Sequence, residues 1–318
     1  MRRWTLPALV VALLPLAVAA GTASGSSGGS PTGTPPLSFG HAGWSWFADP
    51  RAVYAGGRVF VGWVDWKRNI MVASIGPGGT TRARIGGEDD PATGRKLGPG
   101  RHDDHGNPAL LVEADGRITA FYSGHGGPVM HSRTTLLPGD IGSWGPDRYV
   151  KPNVPGPAGY SYPNPVRLAA ENRTYLIWRG ATSEPTFSTR GADGRWSPAQ
   201  VLIDERGLRP YLKVASNDRD TIDFAFTNGH PKDVITNIYF AAYRNGALYR
   251  ANGKLIRSFA ALPIRASEAD EVYDARRGHA RAWIWDVAVA PDRAGGPALV
   301  DYLIVTAREV TLLAPMRS

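Results

Sequence analysis

Five runs of this chain share one shape: RVFVGWVD, RITAFYSGH, RTYLIWRG, TIDFAFTNGH and PALVDYLIV. Each is a β-branched and aromatic stretch with an aromatic near its end, and several close in Gly, as strands entering turns do. Before the second, third and fourth stand NPALLVE, NPVRLAA and RPYLKVA, and after them PVMHSRT, PTFSTR and NIYFAAY. A unit of several antiparallel strands therefore returns roughly every fifty residues, and no helical period lasts long. Small sheets that repeat in this way bury their faces by stacking on one another around an axis, so the chain is predicted to be an all-β protein, a β-propeller. A β-sandwich has strands at similar spacing but would not obviously repeat the same three-strand phrase. The count is about five blades, with PALVDYLIV opening a poorly formed last one. The tail DYLIVTAREVTLLAPMRS stops where a blade should continue, so a C-terminally truncated propeller is expected. Within the repeats, STRGADGRWS resembles a degraded Asp box, with Asp193 and Gly194 in a hairpin turn and Trp196 packed behind it.

The beginning of the chain reads differently. Two arginines, Arg2 and Arg3, precede an apolar run, and Ala17 and Ala19 form an A-x-A cleavage pattern. Residues 1–23 are read as a secretory signal peptide, 24–37 as a Gly/Ser-rich flexible linker and 38–318 as the propeller domain. This predicts a secreted, extracellular protein with no membrane attachment after signal removal. The absence of cysteine rules out disulfides, thiolate metal sites and lipoprotein anchoring. The net charge is +8, or +6 once Arg2 and Arg3 leave with the signal. Such a balance favours an anionic partner. No arginine-rich arm or nucleic-acid motif is present, so nucleic acid is not expected and an acidic polysaccharide is. A phosphate-cradling Gly loop, a G-x-S-x-G elbow, an H-E-x-x-H pair and a dinucleotide fingerprint are all missing, which sets aside the commonest hydrolase and redox classes.

What remains collects at strand ends. The stretch GRHDDHGNPALLVEADGRITAFYSGHGGP carries three of seven histidines, His102, His105 and His125. His105 precedes the first strand of one repeat and His125 follows its second. The next repeat puts Tyr160 and Tyr162 before its first strand and Arg179 after its second. The third gives Arg209, Tyr211 and Lys213 at its start and His230 in TNGHP after its second strand. Corresponding ends of successive blades face a shared opening, so these residues are expected to line one basic cleft. The mixture suits β-elimination on a uronic acid: a cation offsets the charge that develops on the carboxylate, while His or Tyr moves the protons. Bland readings stand beside this one. Tyr160 and Tyr162, close to prolines, read equally as packing between blades. Arg179 suits a buried carboxylate, and His102 a solvated loop. Asp103 and Asp104 fit a turn cap, the fixing of a histidine tautomer, or, with histidines, a metal site. A structural divalent metal is thus left open without assigned ligands, and the chemistry itself requires no cofactor.

With these residues in place, the sequence resembles the bacterial-neuraminidase-repeat family that contains the ulvan lyases. The phrases that carry the likeness are WSWFADPRAVY, HDDHGNPALL, AFYSGHGG, SYPNPVRL, LIWRG, RPYLKV and FTNGHP, running from Trp44 to Asp286. The resemblance implies a seven-bladed propeller and a lyase that cuts beside a uronate. It assigns His105 and His125 to catalytic histidine places, Tyr162 to the tyrosine acid/base and Arg179 to the carboxylate neutraliser. Arg51, Tyr160, Arg209, Tyr211, Lys213 and His230 are then candidates for holding the sugar. The chain has too few residues for seven blades and no cysteines for any metal site built on them. A complete propeller would be a monomer. Two other readings remain: a sialidase-like glycoside hydrolase with Arg51, Arg179 and Arg209 as a carboxylate-binding triad, and a non-catalytic glycan-binding propeller. Hydrolysis normally needs two separated carboxylates or a tyrosine nucleophile with an acidic partner, and Asp103 and Asp104 are adjacent in sequence.

Overall fold

The repeated phrases fold into four antiparallel sheets in a computed structural model that describes residues 38–289 except 41, 46, 88–103 and 151–155. The first sheet holds β1 (Ala42–Gly43), β2 (Ala52–Ala55), β3 (Arg58–Asp65), β4 (Asn69–Gly76) and β5 (Gly79–Gly87). The second runs β6 (Ala109–Val112), β7 (Ile118–Tyr122), β8 (Met130–Thr134) and β9 (Arg148–Val150). The third runs β10 (Ser161–Leu168), β11 (Arg173–Gly180), β12 (Glu184–Arg190) and β13 (Gln200–Val201). The fourth contains β14 (Leu212–Ser216), β15 (Thr221–Thr227), β16 (Ile238–Arg244), β17 (Ala247–Tyr249) and β18 (Leu255–Ser258), with β19 (Asp270–Tyr273) added on β16. In sheets two and three the spatial order is the chain order, the simple up-and-down meander of a propeller blade. The run read as a fifth blade, the tail, the signal peptide and the linker lie outside the described residues.

Stacking of successive sheets explains the nearly unbroken apolar runs. In β7, Ile118, Ala120 and Tyr122 enter the core shared with the first sheet, which contains Phe60, Val72 and Leu110. Phe121 points the other way, toward Met130, Tyr160, Leu176 and Trp178. In β11, Leu176 and Trp178 join that second core, while Tyr175 and Ile177 enter a third with Ile222, Phe224 and Phe226 of β15. A strand covered on both faces has no solvent side, so alternation of polar and apolar residues disappears.

One short segment stitches the sheets together. The Gly62 N–H of β3 donates to the Arg51 carbonyl (2.8 Å), and Leu110 N–H of β6 to the Pro50 carbonyl (2.7 Å). Asn164 Nδ2 of β10 donates to the Phe47 carbonyl at 2.9 Å, and Lys213 Nζ of β14 is ion-paired with Asp49. Residues 47–51 thus bond to all four sheets. Around the Asp-box-like turn, Asp193 Oδ1 accepts from the Arg195 N–H at 3.1 Å, and Gly194 sits at φ 73°. Trp196 lies edge-on to Phe121, with ring centroids 5.9 Å apart.

Candidate active site

The ends of β7, β11 and β15 and the starts of β6, β10 and β14 open onto one cleft of about 640 Å³. His105, His125, Tyr162, Arg179, Arg209, Tyr211 and His230 all line it. Its wall is an aromatic stack. The His105 and His125 rings lie 3.7 Å apart and within 7° of parallel, and Tyr162 follows at 5.0 Å from His105. The Arg179 guanidinium sits 4.6 Å over the Tyr162 ring and 5.9 Å from that of Tyr211. Such a cation-over-ring contact holds the charge in place while leaving its N–H groups directed sideways.

Hydrogen bonds settle the tautomers. Arginine only donates, so its Nη2, 2.9 Å from His125 Nε2, makes that nitrogen the acceptor and puts the neutral ring's proton on Nδ1. His105 Nδ1 lies 2.9 Å from Asp104 Oδ1, and a carboxylate only accepts. Its Nδ1 therefore carries the proton and Nε2 the basic lone pair. His230 Nδ1 accepts the Lys232 N–H at 3.0 Å, so its Nε2–H faces the Tyr211 hydroxyl oxygen at 3.4 Å. Burial, aided by the Arg209 charge, lowers the His230 pKa and keeps that ring neutral. Burial likewise raises the Tyr162 hydroxyl well above the usual phenol range, although Arg179 opposes the shift.

Local backbone geometry aims these groups. The β10–β11 ladder pairs Ser161 with Arg179 and then Asn164 with Ile177, so β10 carries an extra residue at a bulge. Tyr162 sits in that bulge at φ 58°, and the Asn164 side chain steadies it by donating to the Tyr162 carbonyl at 2.8 Å. Arg209 (φ 58°) and Ser183 (φ 74°) also hold left-handed backbone on the cleft. Strain of this kind persists where surrounding contacts over-determine it. Beside His125, Gly126 at φ 65° lets the 157–159 loop approach: a Cβ there would stand 3.0 Å from the Ala158 carbonyl oxygen.

Three expected sugar-holding residues are elsewhere. Tyr160 is buried between the second and third sheets, its hydroxyl 3.3 Å from the Val150 carbonyl and its pKa raised to about 12 by burial. It stands immediately before β10, bridged to Gly127 and ahead of the bulge, with its ring turned into the core. Lys213 is 1% exposed and held by Asp49, with Asp286 at 3.7 Å, which makes it part of the central stitching. Arg51 bonds Asp49 at 2.9 Å and covers Trp44 at 4.4 Å. It does not line the cleft, so the Arg51–Arg179–Arg209 triad is not assembled. Arg209 is itself ion-paired with Asp233. His102 and Asp103 lie outside the described residues. Among the described residues no cluster of three His, Cys, Asp or Glu side chains is arranged to hold a metal ion.

The lining also includes side chains that were not anticipated, among them Phe47, Ser183, Lys232 and Trp283. Phe47 lies against Tyr211 with ring centroids 4.3 Å apart and planes tilted by 34°, and Trp283 lies 5.6 Å from the same ring. Lys232 beside His230 in NGHPKD was the one legible signal. Phe47 and Trp283 arrive from segments outside the repeats.

Among solved structures, the chain is similar to a polysaccharide lyase of family PL25, an ulvan lyase, with a TM-score of 0.61 and 19% identity. The match covers 79% of this chain and 64% of the lyase. A second PL25 ulvan lyase structure, bound to -[GlcA(1-4)Rha3S]-, matches at 0.61 and 18%, covering 79% and 62%. Polysaccharide lyase Uly1 matches at 0.53 and 14%, covering 76% and 62%. The chain therefore spans less than two thirds of the length of these lyases, and the likeness establishes the fold. No curated protein is similar enough to count as a match. The model of the BNR repeat-containing family matches residues 58–310, which takes in β3 to β19 and every residue lining the cleft except Ser45 and Phe47. The chain belongs to the BNR repeat-containing family.

Proposed function

We propose that the protein is a secreted polysaccharide lyase that cleaves by β-elimination beside a uronic acid, in a glycan of the rhamnose–uronate type. The observation that carries this reading is the stack His125–His105–Tyr162 with Arg179 laid across its end. Arg179 binds the uronate carboxylate and offsets the charge that develops as C5 is deprotonated. His105 Nε2, left as the unprotonated ring nitrogen by the Asp104 contact to Nδ1, takes the C5 proton. The C5–H electron pair forms the C4–C5 double bond and the C4–O4 bond breaks. Tyr162, kept protonated by burial, delivers its proton to the departing O4. His125 fixes the Arg179 guanidinium and presents an Nδ1–H. Base and acid are neighbours on one wall, which suits a uronate whose H5 and O4 share a face, as in glucuronate. The ligand in the similar ulvan lyase structure contains that sugar. The elimination takes one proton from C5 and delivers one to O4 with no change of oxidation state, and exchange with solvent afterwards removes the proton from His105 and restores that of Tyr162, so these side chains suffice for the chemistry.

Hydrolysis fits less well. Among the described cleft residues Asp104 is the one carboxylate, and it is engaged by His105. The test is incubation with a panel of uronate polysaccharides while ultraviolet absorbance and reducing ends are recorded together. Rising absorbance from the conjugated double bond, in step with reducing ends, is expected. Reducing ends alone would indicate a hydrolase, and neither signal would indicate a binding protein; both overturn the lyase reading.

A further inference from the structure

At the opposite strand ends of the second and third sheets lies another cleft, of about 550 Å³. It is lined by the end of β6, the start of β7, the ends of β8, β10 and β12, and the Asp-box-like hairpin at Gly191, Ala192 and Gly194. Four arginines reach it, Arg117, Arg148, Arg167 and Arg190, against two carboxylates, Glu113 and Asp115. The carboxylates are already engaged. Glu113 takes Arg190 Nη2 at 2.8 and 3.1 Å, and Asp115 takes Arg117 Nε at 2.6 Å. Arg190 lies 5.3 Å over Trp196 and forms a fixed wall. Arg167 donates to a neutral partner, Asn172 Oδ1, at 3.0 Å. Arg148 is exposed, and its neighbour Asp147 is committed to His131 Nδ1 at 2.7 Å. Among the described residues two cations are thus left without an offsetting carboxylate, beside the apolar surface of Leu136 (59% exposed) and Pro146. Paired positive charge beside an apolar shelf matches a sugar ring that bears a carboxylate or sulfate.

We propose that this cleft is a second, non-catalytic binding site for the same class of acidic polysaccharide, with Arg148 and Arg167 as its anion contacts. It rests on the glycan class in the proposed function, not on the elimination chemistry. Tyr162 and Arg167 lie on one strand, roughly 17 Å apart at the rise of an extended chain. A polymer that passes round the molecule engages both ends and gains avidity, whereas a short oligosaccharide engages one.

The experiment is native electrophoresis through gels containing an ulvan-type polysaccharide, with a neutral galactan as control. The full chain carries Arg148→Glu with Arg167→Glu. A control pair with the same charge change, Arg82→Glu with Lys254→Glu, lies on exposed positions outside both clefts. The expected result is a loss of retardation of about fivefold or more for the first pair only, seen with the acidic polymer only. Circular dichroism melting confirms that the pair folds, and Arg148→Gln alone, expected to lose about half as much on a logarithmic scale, serves if it does not. Retardation equal to wild type, or an equal loss in the control pair, overturns the proposal. Because retardation needs no turnover, a protein that forms no unsaturated product yet depends on Arg148 and Arg167 would sink the lyase reading and keep this one.

Discussion

His131 and His105 show how residue type alone leaves a role undecided. His131 lies inside β8, fully buried, stacked on Tyr122 at 4.9 Å and bonded to Asp147. His105 stands in a turn at a strand end, with its ring open to the cleft. The first is packed into a strand, and the second opens onto the cleft shared by the strand ends. Replacing Arg179 by Ala is expected to cut turnover about a hundredfold to a thousandfold, the usual cost of losing one electrostatic donor to a transition state. His105→Ala and Tyr162→Phe should each cost about a hundredfold or more through lost proton transfer. Steady-state rates beside thermal melts check this. A His105→Ala variant that unfolds, while Tyr162→Phe stays fully active, would make the histidines structural.

At the scale of the element, the strands β7, β11 and β15 were visible in the sequence because runs such as ITAFY and TIDFAFT are rich in β-branched and aromatic residues and are bounded by turn residues. The β10 bulge was not visible. Regular extended backbone through GYSYPNPVRL would place Tyr160 and Tyr162 on one face. The extra residue separates them, sending Tyr160 into the core and Tyr162 to the cleft. Asn164 secures that turn through the Phe47 and Tyr162 carbonyls. Asn164→Ala is expected to destabilise the fold by about 1–3 kcal/mol, the cost of leaving buried acceptors unmade. It should also lower turnover as Tyr162 relaxes, so urea melts and rates measured together should both fall. Unchanged activity in the folded variant would show that the bulge holds without it.

Across the whole molecule, buried charge ties remote parts together. Asp49→Ala takes from the buried Lys213 ammonium its shortest ion pair and is expected to cost about 3 kcal/mol, measured by denaturant titration. Asp223 has the opposite problem. It is fully buried in β15 with neither carboxyl oxygen hydrogen-bonded, and burial pushes its pKa up to about 6 despite Arg244. A folded pKa above the unfolded value of about 3.9 means that the native state holds the proton more tightly. This contribution is complete below about pH 4, is lost as pH rises to about 6, and stays lost above. Asp223→Asn should therefore raise the melting temperature at pH 8 and lose that advantage at pH 4; equal effects at both values would refute the assignment.

The sequence by itself determined the sheets and their repeat, because strand periodicity, turn residues and double burial are local or nearly local properties. For the same reason it placed His105, His125, Tyr162, Arg179, Arg209, Tyr211 and His230 at matching strand ends, where stacked blades bring them to one opening. Only the tertiary structure decided which candidates face that opening. Tyr160, Lys213 and Arg51 carry the right chemistry, but a one-residue bulge and the stitching segment around Asp49 turn them to packing and charge pairing. Phe47 and Trp283 complete the cleft from segments with no repeat signature, since their place comes from long-range packing rather than from any pattern in their neighbours. The direction of each histidine proton was likewise settled only in three dimensions. It depends on which donor or acceptor the fold sets against each ring nitrogen, and in the case of His125 that donor comes from a different sheet.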